Sequence, residues 1–304
     1  MKNPLRHLAV AFRTWLGWRQ EPGVFRLRDA AMQFHRVVLP GRWLARAAVR
    51  KLARASMAQR ERDGAYRITL PGEGGLVFFW PAAPDVNLWY LVEQETDPRN
   101  PHCYWTAPVM LTPGSRVLDV GACEGLFAFR CLRRGLAREV VAFEPSPRMA
   151  PLLQRGAEAN GVADRVRVVA AAVGARRGTV AFDLSGGEQA GHLAEGAAGN
   201  ALVPGTTIDD FCAEDGIQLG PYDLIKADAE GADLEVLKGA ERSLRLGSPQ
   251  VAVTTYHAEA HAREMVAWLR AVQPRYRFRL KGFSFWTPRP RPVLLVASAL
   301  EQAR

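Results

Sequence analysis

From Arg116 onward, short apolar runs alternate with segments of helical periodicity, and this alternation constrains the fold more than any other feature. Four of the runs consist almost entirely of Val, Ile, Leu and Ala, as expected for parallel strands covered by helices on both faces. The alternation therefore predicts an α/β fold with a Rossmann-like, mostly parallel sheet. The predicted strands begin at Arg116, Glu139, Arg165, Asp223 and Pro249.

The C-terminal part of the chain departs from this alternation. The runs "YRFRLKG" and "PVLLVAS" are separated by "FSFWTPRPR", which has no helical pattern. We therefore expect an antiparallel hairpin at one edge of the sheet. Nearer the N-terminus, "YRITL" and "LVFFW" flank the turn-rich "PGEGG" and predict a second hairpin.

The 304 residues suffice for one α/β domain with an accessory segment. We expect a basic helical segment over residues 1–63, a hairpin and lead-in over 64–110, and a catalytic domain over 111–304. Residues 29–62 are expected to be helical, with a break at Leu39–Gly41. No apolar run reaches the roughly 18–20 residues of a spanning helix, so a cytoplasmic protein is expected. The four cysteines lack metal-binding spacing and are expected to be reduced thiols.

The positive charge is concentrated near the N-terminus. Residues 1–62 contain 14 Lys and Arg but three acidic residues, a net charge of +11, whereas the whole chain carries +9. Within this segment, Asn3–Arg19 has the period of an amphipathic helix. Three interpretations stay open: peripheral docking of residues 1–20 on an anionic membrane, an organellar transit segment, or packing on the chain's own domain or a second subunit. The predicted apolar face comprises Leu5, Leu8, Phe12, Trp15 and Leu16.

The turn after the first predicted strand is glycine-rich and acidic. A dinucleotide fold needs G-x-G-x-x-G at this position, but here Asp119 precedes Gly121, and Glu124 precedes Gly125. Two carboxylates would repel a pyrophosphate and attract an ammonium group. S-adenosylmethionine carries an ammonium and a sulfonium and has no phosphate, so the charges favour this methyl donor as the cofactor.

Glu144 lies at the end of the second strand, 25 residues after Asp119. A carboxylate at this position can accept hydrogen bonds from both ribose hydroxyls. The complete set of predicted donor-binding residues is Asp119, Gly121, Ala122, Glu124, Gly125, Glu144, Ala171 and Asp228.

A second cluster lies in "DLIKADAEG". Lys226, Asp228 and Glu230 occupy every second position, so in an extended strand their side chains would share one face. Gly231 is expected to end the strand before a helix begins. Two interpretations are open: an ion pair of Lys226 with Asp228 or Glu230, or a polar surface that contacts the methyl donor and the methyl acceptor. The next strand ends at His257, which we expect at the same edge of the sheet.

These motifs resemble those of the FkbM family of S-adenosylmethionine-dependent methyltransferases. The resemblance covers about residues 90–298, and the K-x-D-x-E-G stretch is its most specific part. It implies a class I methyltransferase fold and O-methylation of hydroxyls on saccharides or natural products. The chain departs from the family at Cys123, Glu124 and Ala227. On the family's donor-binding and strand-four positions lie Asp119, Gly121, Gly125, Glu144, Lys226, Asp228, Glu230 and Gly231.

We expect direct methyl displacement, with a base that takes the proton of the acceptor hydroxyl. Histidine titrates near neutral pH, so His257 is the first candidate and Glu230 or Asp228 the second; Lys226 completes the predicted catalytic set. No metal site is predicted, although Asp228 and Glu230 leave metal assistance open.

The expected partner is a small-molecule or glycan acceptor, and a homo-oligomer is left open. Alternative functions are a membrane-associated methyltransferase of a lipid-linked glycan, a nucleic-acid methyltransferase and a non-catalytic membrane scaffold. A nucleic-acid substrate is disfavoured because no [DNS]-P-P-[YF] motif is present. A nicotinamide oxidoreductase is disfavoured by the missing third glycine.

Overall fold

A computed structural model describes residues 4–21, 23–38, 47, 50–183, 192–193 and 201–301. The helices are α1 Pro4–Gly17, α2 Leu27–Ala30, α3 His35–Val38, α4 Val86–Thr96, α5 Leu126–Arg133, α6 Met149–Ala159, α7 Ile208–Glu214, α8 Asp233–Lys238, α9 Glu241–Gly247 and α10 His261–Val272. The strands are β1 Met57–Arg60, β2 Tyr66–Leu70, β3 Leu76–Trp80, β4 Arg116–Val120, β5 Glu139–Phe143, β6 Val166–Val169, β7 Ala172–Val173, β8 Gly178–Asp183, β9 His192–Leu193, β10 Ala201–Thr206, β11 Leu224–Ala227, β12 Gln250–Thr254, β13 Arg277–Phe283 and β14 Pro292–Ser298.

The chain forms two compact units, each assembled from separate segments. The first unit contains Met1–Arg54, Asp85–Val109 and Val251–Arg304, and the second contains Ala55–Pro84 and Met110–Gln250. The division at residues 63 and 110 that the sequence suggested stays a prediction.

The second unit contains parallel strands in the order β6–β5–β4–β11. The strands are joined through α5 and α6 in the predicted β–α alternation, and β4, β5 and β11 are almost wholly buried. Parallel strands end at the same edge of a sheet, so Val120, Phe143 and Ala227 bring the loops that follow them together. The predicted α/β, Rossmann-like class is confirmed.

The first unit contains the predicted C-terminal hairpin. Strand β14 pairs antiparallel with both β12 and β13, and all seven residues of β14 are buried. Helix α10 follows β12, and of the apolar face that its periodicity predicts, Met265, Leu269 and Val272 are buried whereas Trp268 is only partly buried. The antiparallel hairpin predicted from the sequence is thus confirmed as β13 and β14.

The hairpin predicted from "YRITL" and "LVFFW" is confirmed as β2 and β3. The helical prediction for residues 29–62 is wrong in part: α2, α3 and residues 50–55 are helical, but Met57–Arg60 is a strand paired antiparallel with β2. All four residues of β1 are exposed, so the segment has no alternation of burial and is a strand only because β2 pairs with it. The predicted break at residues 39–41 lies outside the described residues.

A further, four-stranded sheet between β6 and α7 was not predicted. Its strand order is β7–β10–β8–β9, with β8 antiparallel to β10. Within the Gly- and Ala-rich stretch 185–204, residues 185–191 and 194–200 lie outside the described residues.

The four cysteines are free thiols, as predicted. Within the described ranges, no helix combines the length and the apolar character needed to cross a bilayer.

Candidate active site

The glycine-rich turn after β4 is held against the neighbouring strand by its own backbone. The amides of Gly121 and Ala122 both donate to the carbonyl of Phe143, at 3.0 and 3.1 Å. Gly121 has φ +70°, and a Cβ there would lie 2.0 Å from the carbonyl oxygen of Asp228. Glycine is therefore required at this position, because two backbone segments meet where a side chain would stand.

The same turn ends at a second constrained glycine. Gly125 has φ +79° immediately before α5, and a Cβ there would lie 2.6 Å from the ring of Phe129. Between the glycines, Cys123 also adopts a left-handed conformation, with φ +47°. The loop over residues 121–125, hereafter the glycine loop, is therefore fixed in shape by close packing.

Lys226 joins the glycine loop to the sheet. Its Nζ lies 2.8 Å from Oδ1 of Asp119 and donates to the carbonyls of Gly121, at 2.8 Å, and Val120, at 3.4 Å. Both charged side chains are almost completely buried. The pair forms because Lys226 and Asp119 are directly opposite each other in the register of β11 and β4.

Asp119 is a partner of Lys226 that the sequence did not predict, and the predicted pairing of Lys226 with Asp228 or Glu230 stays a prediction. Strand β11 ends at Ala227, so these three residues do not share the face of an extended strand. The backbone turns instead, and Glu230 adopts a left-handed conformation with φ +47°.

Asp233 is the reason for this turn, and sequence reasoning missed it. Its fully buried carboxylate accepts hydrogen bonds from the amides of Ala229, at 2.8 Å, and Gly231, at 3.1 Å. Asp233 is the first residue of α8 and binds amides of the turn that precedes the helix. Its position two residues after Gly231 was the available signal. Asp228 lies at the start of this turn, and its amide donates to the carbonyl of Val120.

The carboxylate of Glu144 binds two backbone amides, one in the glycine loop and one in the turn that follows β5. Its Oε2 accepts from the amide of Cys123 and its Oε1 accepts from the amide of Ser146, both at 2.8 Å. The hydroxyl of Ser146 accepts from the amides of Arg148 and Met149, but α6 begins only at Met149, so Ser146 lies before the N-cap position.

Among the residues that the structure describes, Oδ2 of Asp119 and Oε2 of Glu124 are buried without a hydrogen-bond donor; Oδ1 of Asp119 also makes no hydrogen bond but pairs with the Lys226 ammonium. Burial raises the pKa of Glu124 to about 7, with Lys226 lowering it and Asp119 raising it. A buried acceptor without a donor is costly, typically about 1–3 kcal/mol. The glycine loop is thus suited to a ligand that brings donors and positive charge.

Ala171 lies apart from these contacts. It is buried after β6 and borders a cavity of about 620 Å³ whose lining includes Val169, Phe211 and residues of β10. None of the glycine loop, Asp119 or Glu144 lines that cavity.

His257 belongs to the first unit, three residues beyond the end of β12. One guanidinium nitrogen of Arg291 donates to the carbonyls of Tyr256 and His257, both at 2.8 Å, which fixes the backbone at this point. The imidazole lies 4.1 Å from the Tyr256 ring, centroid to centroid.

Further aromatic rings that sequence reasoning missed surround Tyr256. Trp286 stands edge-on to it at 5.1 Å, and the imidazole of His102 lies 3.4 Å from its hydroxyl. The indole of Trp286 is 37% exposed. These rings come from distant parts of the chain, and only the aromatic content of "FSFW" hinted at them.

A family model described as the methyltransferase FkbM domain matches residues 119–280. The chain belongs to the FkbM methyltransferase family. This assignment confirms the resemblance seen in the motifs, and the protein is a methyltransferase with the class I fold predicted for it. The matched range begins at Asp119 and includes every predicted site residue.

This FkbM methyltransferase is similar to the 2-O-methyltransferase NoeI of Sinorhizobium fredii (strain NBRC 101917 / NGR234). The two are 31% identical over 150 residues, which is 43% of this chain and 60% of NoeI. The similarity thus spans about three fifths of the relative's own length.

Two solved structures also resemble it. The FkbM methyltransferase of Methylobacillus flagellatus KT has a TM-score of 0.49 and 21% identity, over 69% of this chain and 49% of that one. The O-methyltransferase of Bacillus cereus, in complex with SAH, has a TM-score of 0.39 and 13% identity, over 87% and 94%.

Removing Lys226 should destabilise this methyltransferase strongly. We expect Lys226→Met to lower the free energy of unfolding by about 3–5 kcal/mol, because it leaves the Asp119 carboxylate buried without its partner. The double variant Lys226→Met/Asp119→Asn should lose less than the sum of the single variants. Urea unfolding followed by circular dichroism measures all three, and additive losses would contradict the coupling.

The elevated pKa of Glu124 predicts a pH-dependent stability. Because the pKa of Glu124 is raised to about 7 in the folded protein, its carboxyl holds a proton up to about that pH, whereas the unfolded chain loses it near the ordinary pKa of 4.5. Stability should therefore fall as pH rises through this window, by about 3 kcal/mol in total.

Glu124→Gln should remove that contribution, so its stability relative to the wild type should grow with pH. The matched control is Glu235→Gln, an exposed acid that pairs with Lys238 in α8. Equal pH slopes for the wild type and Glu124→Gln would contradict the assignment of the proton to Glu124.

Proposed function

We propose that this methyltransferase uses S-adenosylmethionine and that the glycine loop binds it. The observation that carries the proposal is the pair of buried carboxylate oxygens, on Asp119 and Glu124, that lack donors among the described residues. Hydrogen bonds between charged partners are roughly twice as strong as neutral ones. The ammonium of the donor's amino-acid group would supply both missing hydrogen bonds and compensate the negative charge.

Other parts of the site fit the same ligand. Gly121 and Gly125 remove side chains where the ligand's amino-acid group would approach the backbone, and Glu144, which would bind the ribose hydroxyls, is hydrogen-bonded to the glycine loop through the amide of Cys123. When bound, S-adenosylmethionine supplies a methyl group on a positively charged sulfur. In this arrangement Lys226 is a positioning residue, because its ammonium is bonded to Asp119 and to two carbonyls of the loop.

The charge of the site argues against a dinucleotide. Asp119, Glu124 and Glu144 provide three buried carboxylates, and Lys226 provides one buried ammonium. A pyrophosphate would add negative charge where the protein already has an excess, in a region of low dielectric constant. The same excess attracts a ligand with a positive charge.

For the acceptor, we propose a hydroxyl on a saccharide or a related natural product. The name of NoeI as a 2-O-methyltransferase supports transfer to oxygen. The exposed indole of Trp286 beside Tyr256 and His257 suits an acceptor that presents an apolar ring face together with hydroxyls. A lipid-linked glycan would meet the same requirements.

His257 is the proposed base of the reaction. Its imidazole would accept the proton of the acceptor hydroxyl, and Arg291 keeps its backbone in place through two hydrogen bonds. Asp228 and Glu230 remain the second choices, since both lie in the turn after β11.

Calorimetric titration tests the donor. We expect S-adenosylhomocysteine to bind the wild type and NADH not to bind. Glu124→Gln should weaken binding about 10–100-fold, as for a lost charge-assisted hydrogen bond, whereas the exposed control Glu235→Gln should not. Binding of the wild type should tighten as pH rises through 7, because Glu124 ionises. Failure of S-adenosylhomocysteine to bind, or preference for NADH, would refute the donor assignment.

The base is tested once a screen with labelled methyl groups on saccharide acceptors has found a substrate. His257→Ala should lower turnover about 10²–10⁴-fold with little change in donor affinity. His261→Ala, a nearby histidine at the start of α10, is the matched control. Full turnover by His257→Ala would exclude the imidazole as the base.

A further inference from the structure

Helix α1 presents an apolar stripe to solvent. Leu5, Leu8 and Phe12 follow one another at helical spacings of three and four residues, and they are 77%, 44% and 55% exposed. The face that packs against the first unit is a different one, which contains the buried residues His7 and Ala11. The apolar face predicted from the sequence is therefore left largely uncovered by the described residues.

The opposite end of the helix is fixed to the first unit. The indole of Trp15 donates to the carbonyl of Phe25 at 3.1 Å, and the guanidinium of Arg263 donates to the carbonyl of Gly17 at 2.9 Å and stacks 4.6 Å from the Trp18 ring. The helix is thus held in one orientation, with its apolar stripe outward. An exposed stripe that is fixed in this way costs solvation free energy unless something covers it.

Positive charge borders the stripe. Arg6 follows Leu5 and Arg13 follows Phe12 in the helix, and both arginines are exposed. In the same unit, Leu27 is 64% exposed between the exposed Arg26 and Arg28. Exposed leucines and a phenylalanine next to arginines are the composition of a helix that lies in the interface of an anionic bilayer.

We infer that α1 docks the enzyme on the surface of an anionic membrane. Leu5, Leu8 and Phe12 enter the boundary between headgroups and acyl chains, and Arg6 and Arg13 bind anionic headgroups. A second copy of the chain fits less well, because a symmetric contact through this stripe would bring the arginines of both copies together. The inference is independent of the donor and acceptor proposed above, since α1 contributes to neither.

Cosedimentation of the full-length protein with vesicles tests the inference. We expect binding to vesicles of phosphatidylcholine mixed with phosphatidylglycerol, little binding to phosphatidylcholine alone, and weaker binding at high ionic strength. Leu8→Ser/Phe12→Ser should weaken partitioning at least about tenfold, since each buried large apolar side chain contributes roughly that much. Arg6→Gln/Arg13→Gln should remove the preference for anionic lipid.

The control is Leu246→Ser, which changes an 81% exposed leucine in the second unit. It should bind vesicles like the wild type. Hydrogen exchange with and without vesicles gives a second measurement that needs no variant, and amides of residues 4–17 should gain protection. The inference would be overturned if the protein did not bind vesicles, or if binding survived Leu8→Ser/Phe12→Ser. It would also be overturned if the protein were a dimer that these substitutions dissociate and if it bound no lipid.

Discussion

The candidate active site depends on one buried ion pair. Lys226 and Asp119 lie opposite each other on two central strands, and the same ammonium binds the carbonyls of Val120 and Gly121. Neither charge could be buried there alone, because desolvation would cost several kcal/mol per ion. Paired, they connect the sheet to the first residue of the glycine loop. The position of the loop is thereby tied to the register of the strands.

The pair also determines what the site can bind. It neutralises one carboxylate and leaves Glu124 and Glu144 as buried acids around a loop without side chains at its two glycines. Burial keeps the pKa of Glu124 near 7, so this acid changes charge within the physiological range. A ligand cation would favour its ionised form, which couples donor binding to proton release. Cys123 and Glu124 are departures from the usual family pattern, and Glu124 makes the site of this chain more acidic.

The N-terminal helix shows how exposure changes the meaning of a sequence pattern. Its amphipathic period was compatible with packing on the chain's own domain and with docking on a membrane. The structure packs His7 and Ala11 instead of the leucines, so the apolar stripe is available to a partner. The excess of arginine in the same segment makes an anionic surface the partner that fits it best.

The sequence by itself determined the β–α alternation, the C-terminal hairpin, the glycine turn and the acids around it, because burial period and turn chemistry are local properties. It did not determine the partner of Lys226, the hydrogen bonds of Asp233 to the turn before α8 or the rings around Tyr256. These depend on strand register and on contacts between residues far apart in the chain. Strand β1 was not predicted for the same reason, since its four residues are all exposed and form a strand only because they pair with β2. Only the tertiary structure decided which side of α1 is covered, because a helical period defines an apolar face but not what packs against it.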